Sequence, residues 1–182
     1  MIRISFLSGQ VIFTAVWLLL RVIVWLRQGQ INWRREAALL LMYVNLAVVF
    51  RFAFFPMEHV GGRVQPLVFD AANMLPFRVN LRPFVRLSDY ADKGNMLRNV
   101  IGNVAMMIPS GILFPVLYEK LNRLWKVLLA GLGLTLLIEL LQLPFASRAS
   151  DVDDVIQNVA GVMIGYGIYA LFRALSKRKK SA

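Results

Sequence analysis

Five apolar stretches of roughly twenty residues leave this chain one way to fold, as helices crossing a lipid bilayer. They run over about 7–26, 37–55, 96–118, 124–143 and 155–175. A helix of that length spans a hydrocarbon core of ~30 Å, whereas a membrane-barrel strand needs only about ten residues. Lipid offers no hydrogen bonds to a bare backbone, so each crossing must satisfy its own amides, as a helix does. The sequence therefore predicts an all-α, polytopic membrane helix bundle, read as a single domain over 1–182. A long, partly ordered loop, 57–95, separates the second and third crossings. The first stretch lacks a small-residue cleavage site and is read as a spanning helix, not as a removable signal.

Composition narrows the chemistry. The chain is 58% hydrophobic and has no cysteine, which excludes disulfides, thiolate metal sites and a cysteine nucleophile. A single histidine, His59, and the lack of a G-x-S-x-G elbow argue against Ser–His hydrolysis. The net charge of +11 is read as basic residues lining one membrane face, not as a nucleic-acid surface. Arg27, Arg34 and Arg35 follow the first crossing, and Lys120, Arg123 and Lys126 join the third to the fourth. The tail, 173–182, carries Arg173, Lys177, Arg178, Lys179 and Lys180. Five crossings put these three regions on one side, which the positive-inside rule makes the cytoplasm of a bacterial cell membrane. The N-terminus and the loops 57–95 and 145–150 then face outward.

The outward loop has its own pattern. Phe77-Arg78-Val79-Asn80-Leu81-Arg82 alternates apolar and polar residues, predicting an extended, half-buried segment. Leu67, Val68 and Phe69 place another part of the loop on the bilayer surface or between helices.

The polar residues of the last three crossings gather at their outward ends. Asp151, Asp154, Asn158, Gly161 and Gly165 recur at helical spacing, forming one stripe that is polar at its start and small further in. The glycines form a small-xxx-small surface for close helix packing. Ser150 or Asp151 can cap the fifth helix, and the acids suit its N-terminal dipole. Glu139 lies inside the fourth crossing, where a charge costs about 2.5–3.5 kcal/mol by insertion scales, and Gln142 shares its face. Asn99 and Asn103 sit one turn apart in the third helix, which Pro109-Ser110-Gly111 is expected to interrupt. Arg148 lies in the short outward loop. Asn99, Asn103, Glu139, Gln142, Arg148, Asp151, Asp154 and Asn158 are thus expected to converge near the outer leaflet. Such a cluster can be an ion-pair network, an oxygen-ligand cation site, a grip for amines or sugar hydroxyls, or a source of general acid and base.

The motifs together resemble the VanZ-like family of bacterial membrane proteins. The matching residues begin with Asn80-Leu81-Arg82-Pro83-Phe84, Asn99, Asn103 and Pro109-Ser110-Gly111-Ile112-Leu113-Phe114-Pro115. They continue with Glu139, Gln142, Arg148, Asp151, Asp153, Asp154, Asn158, Gly161, Gly165 and Tyr166. Arg82 and Met107 depart from the expected apolar and aromatic types. The family-like core covers about 80–166 and adds Asn80 to the candidate ligand-binding residues. The family is named for a protein that raises resistance to the glycopeptide teicoplanin without rebuilding the peptidoglycan precursor. The resemblance therefore implies a role in the cell envelope and in antibiotic resistance, with no cofactor and no assigned catalytic or metal-binding residue.

Three function classes follow. The leading one is a non-enzymatic protein whose outward polar pocket binds a lipid-linked cell-wall precursor or a lipoglycopeptide. It would act in envelope homeostasis or glycopeptide resistance. The alternative is a carboxylate- or metal-dependent intramembrane enzyme acting on an envelope lipid or glycan. A small transporter is the third; Arg21, Arg51 and Glu139 permit it, while the missing internal repeat argues against it.

Overall fold

The computed structural model describes residues 2–55, 59–60, 62–69, 78–84, 93–145 and 148–181. Its helices are α1 (Phe6–Gln28), α2 (Trp33–Phe54), α3 (Lys93–Leu117), α4 (Leu124–Gln142) and α5 (Val152–Ser181). All five are long and apolar enough to cross a membrane, as the sequence predicts. Two expectations change. Pro109 and Pro115 do not interrupt α3, which runs through both, and α5 continues as helix through the basic tail. Short strands accompany the helices: β1 (Ile2–Ile4), β2 (His59–Val60), β3 (Arg63–Val64), β4 (Leu67–Phe69), β5 (Val79–Asn80) and β6 (Ser150–Asp151). They pair as β1 with β4, β2 with β3, and β5 with β6. The chain divides into two compact units, Met1–Val79 with Ile138–Ser150, and Asn80–Leu137 with Asp151–Ala182.

The first unit is built on an α1–α2 hairpin. Ser5 caps α1 by accepting the Ser8 amide at 3.1 Å, and Gly29 ends it at φ 64°, a left-handed turn that suits glycine. Asn32 caps α2 by accepting the Arg35 amide at 3.1 Å. Aromatic rings fill the seam: Phe13 stacks on Phe50 at 5.3 Å and on Tyr43 at 5.9 Å. Thr14 Oγ1 donates to the Gln10 carbonyl and shares a hydrogen bond with the Tyr43 hydroxyl. Of the two half-buried arginines Arg21 and Arg51 in the first two crossings, Arg21 pairs with Glu36. Arg51 donates to the Phe55 carbonyl at 3.0 Å and covers the Phe6 and Phe52 rings. Both serve the packing of this unit. The N-terminus, which has no strand signal, pairs antiparallel with β4 in the register Ile2 to Phe69, Arg3 to Val68 and Ile4 to Leu67. Leu67, within that ribbon, is buried.

The second unit packs α3 against α5. Contact positions rise together, from Val104 and Met107 at Gly161 to Ile108 and Gly111 at Gly165, so the two helices run parallel. Helix α4 runs against them, with Gly131 at Val162 and Thr135 at Asn158. Gly111 lies in the α3–α5 contact and Ser110 is buried beside it in sequence, so the glycine of the Pro-Ser-Gly motif is packing surface on an uninterrupted helix.

Candidate functional site

The nine candidate residues fall in two groups, one in each unit. Glu139, Gln142 and Arg148 belong to the first. Helix α2 ends at Phe54, and its last carbonyls lack intrahelical partners. Gln142 Nε2 donates to the Ala53 carbonyl, and Arg148 Nε donates to the Phe54 carbonyl at 3.0 Å. An amide and a cation thus close the C-terminus of α2, where the dipole favours positive charge. Ser150 Oγ donates to the backbone carbonyl of Glu139 at 2.9 Å, and the Glu139 side chain is buried at 6% exposure. The edges of Phe54 and Phe69 pack on Phe145.

The second group surrounds the start of α5. Asp151 caps the helix, its Oδ1 accepting the Asp153 amide at 3.0 Å, which bears out one of the two capping residues expected. Asn80 ties the Asn80–Phe84 segment to that cap. Its Nδ2 reaches both carboxylate oxygens of Asp151 at 3.2 and 3.3 Å, and its Oδ1 accepts the Arg82 amide at 3.1 Å in an Asx turn. Phe84 then takes a positive φ of 66°, and its amide donates to Asp153 Oδ1 at 2.8 Å. A left-handed phenylalanine is strained and needs such an anchor. The expected alternation of buried and exposed residues does not hold over 78–82. Arg78, Val79, Leu81 and Arg82 are exposed and Asn80 is half-buried, because Asp151 gives its amide a partner.

One turn further along α5, Asn103 Nδ2 donates to Asp154 Oδ1 at 2.8 Å and to Gln157 Oε1 at 3.0 Å. Asn99 lies one turn before Asn103 on α3 and is half-buried. Asn158, buried to 1% exposure, donates to Thr135 Oγ1 at 2.8 Å. Two acceptors in this group, Asp153 Oδ2 and Asn158 Oδ1, are buried and meet no donor among the described residues. A buried acceptor left so costs about 1–3 kcal/mol. Asp153, Gln157 and Thr135 complete the cluster and were not among the expected site residues. Asp153 carried a signal as the third acid of its run, whereas Gln157 and Thr135 carried none without knowledge of which helices face each other. No group of three or more metal-ligating side chains comes together among the described residues.

The bond from Asn103 has a direct consequence. Asn103→Ala removes one donor from Asp154 and Gln157 and is expected to lower stability by about 1–2 kcal/mol. Asn103→Asp sets a carboxylate beside Asp154 and is expected to cost more. Thermal melting of the two purified variants in one detergent checks that order.

Five spanning helices with carboxylates and amides bonded at helix ends define a multi-pass membrane protein with a polar cluster. The family model for VanZ/LLP1 matches residues 39–173, and the chain belongs to that family. It is 33% identical over 102 residues to Protein VanZ of Enterococcus faecium, covering 56% of this chain and 58% of that protein. The chain thus aligns with less than two thirds of that relative. No solved structure matches it. The family match takes in most of α2 as well as the 80–166 core that the motifs mark.

Proposed function

We propose that this chain is a non-enzymatic membrane protein that binds a cell-envelope ligand at the polar start of α3 and α5. The site faces outward, and the basic tail lies in the cytoplasm. The ligand class is a lipid-linked cell-wall precursor head group or a glycopeptide antibiotic, and binding contributes to envelope homeostasis or glycopeptide resistance. The observation that carries this reading is the pair of buried acceptors, Asp153 Oδ2 and Asn158 Oδ1, without a protein donor among the described residues. They stand beside carboxylates already engaged by amides, so the cluster seeks further hydrogen-bond donors. Sugar hydroxyls, amines and peptide amides supply them. Membership in a family that includes Protein VanZ supports the envelope role.

The test is the inhibitory concentration of teicoplanin for a susceptible host expressing the chain. Protection is expected with the unaltered protein and is expected to fall to the vector level in Asp153→Asn and Asp154→Asn. The second variant keeps an oxygen to accept from Asn103, so its fold survives the loss of charge. Protection that persists in both folded, inserted variants overturns the site. A mass change in envelope lipids on expression, lost in Asp154→Asn, overturns the non-enzymatic reading instead.

A further inference from the structure

The end of the second unit remote from the acids carries most of its positive charge. Helix α5 has 30 residues, about 45 Å of helix, against a hydrocarbon core of ~30 Å. About ten residues of it must therefore stand clear of the core. With α3 and α5 parallel and Gly111 level with Gly165, the end of α3 at Leu117 lies level with about Leu171. The segment from Tyr118 to Lys126 is then at the height of the α5 tail, within the same unit. Lys120, Arg123, Arg173, Lys177, Arg178 and Lys179 are all exposed, and Glu119 is the one acid in either stretch. Aromatic side chains mark the boundary beneath them: Tyr118 is 46%, Trp125 55% and Phe172 65% exposed. Tyrosine and tryptophan favour the bilayer interface. Lys126 lies over the Trp125 ring at 5.5 Å and donates to the Lys120 carbonyl at 2.9 Å, which holds the linker's base and its aromatic together.

We propose that this end of the bundle is a docking surface for anionic phospholipid head groups. A helix carrying lysine and arginine just beyond a row of interfacial aromatics meets the phosphates of its own leaflet, and each base near such a surface adds to the attraction. The linker bases supply a second bank of charge on the same unit, so a head group is held from two elements. Docking fixes the height of α5 in the bilayer and thereby the height of the acidic start of that helix at the opposite interface.

The test is native mass spectrometry of the full chain in mild detergent, titrated with phosphatidylglycerol or phosphatidylcholine. Phosphatidylglycerol is expected to bind about tenfold more tightly, with the preference shrinking as salt rises. In K177Q/R178Q/K179Q the preference is expected to fall below about threefold, and in K120Q/R123Q to fall part of the way, while K177R/K179R retains it. These are exposed positions, and size-exclusion profiles verify the fold of each variant. Equal binding of the two lipids, or an undiminished preference in both glutamine variants, overturns the proposal. So does displacement of phosphatidylglycerol by an equal concentration of inorganic phosphate, which would make the site one for free anions.

Discussion

Gly165→Val is expected to destroy the folded bundle, whereas Gly167→Val, two residues further along the same helix, leaves it intact. A side chain at Gly165 would drive its Cβ into the Ile108 carbonyl oxygen and to 3.0 Å from the Gly111 Cα. Both obstacles are backbone, so no rotamer change relieves them, and α3 and α5 must separate. Separation undoes the neighbouring contacts as well. Gly161 lies on the Val104 carbonyl, and Gly111 lies on that of Val162. Overpacking in a close-packed interior costs about 1–3 kcal/mol even where side chains can shift, so a fixed obstacle in the unit's principal helix contact is expected to exceed about 3 kcal/mol. Nothing lies within 4 Å of a Cβ at Gly167 or Gly133, and valine there meets lipid. Loss of the monodisperse peak in detergent for Gly165→Val, beside normal peaks for Gly167→Val and Gly133→Val, is the expected result. A Gly165→Val protein that melts with the unaltered chain would contradict parallel, close α3–α5 packing.

That contact shows what the sequence carried and what it did not. The spacing of Gly161 and Gly165 named a close-packing surface on α5, but a small-xxx-small stripe does not name its partner. The partner surface includes Gly111, two residues after Pro109, in a motif whose proline signals a helix interruption. Proline in a spanning helix is tolerated where neighbouring groups re-satisfy the backbone, and α3 runs on through Pro109 and Pro115. All five helices were legible because apolar length is a strong and local signal. The short ribbons were not, since pairing of Ile2–Ile4 with Leu67–Phe69 depends on residues more than sixty positions apart. For the polar cluster, residue types were legible and bonds were not. Gln142 and Arg148 looked like ligand groups, yet they close the α2 C-terminus through carbonyls of Ala53 and Phe54, backbone atoms that no side-chain pattern reports. Asn80 looked like part of a half-buried strand, but its place is fixed by Asp151, seventy-one residues away.

The α1–α2 hairpin holds the second large effect. Arg21 and Glu36 form an ion pair, each side chain only 12% exposed, at the closed end of the hairpin. Both lie within helices that cross the membrane. Removing one partner of a buried pair leaves a charge without its counter-ion, at a cost of about 3–5 kcal/mol in protein interiors. The two halves should not cost the same. Arginine is long, and Arg21 lies seven residues before the end of α1 at Gln28, so in Glu36→Leu its guanidinium can extend toward the interface. Glutamate is short and α2 holds it in its first turn; in Arg21→Leu it keeps only the charge of Arg35 nearby and loses its paired guanidinium. Arg21→Leu is therefore expected to lose about 3 kcal/mol and Glu36→Leu about 1–2 kcal/mol, the difference being the snorkelling that arginine retains. Arg21→Leu/Glu36→Leu removes both charges and sets two leucines against each other on a lipid-facing seam. An apolar pair of that kind replaces a buried ion pair at little or no cost, so the double variant is expected to melt close to the unaltered protein. Thermal unfolding of the four proteins in one detergent gives the cycle directly. Single losses that simply add in the double variant would show that Arg21 and Glu36 act apart.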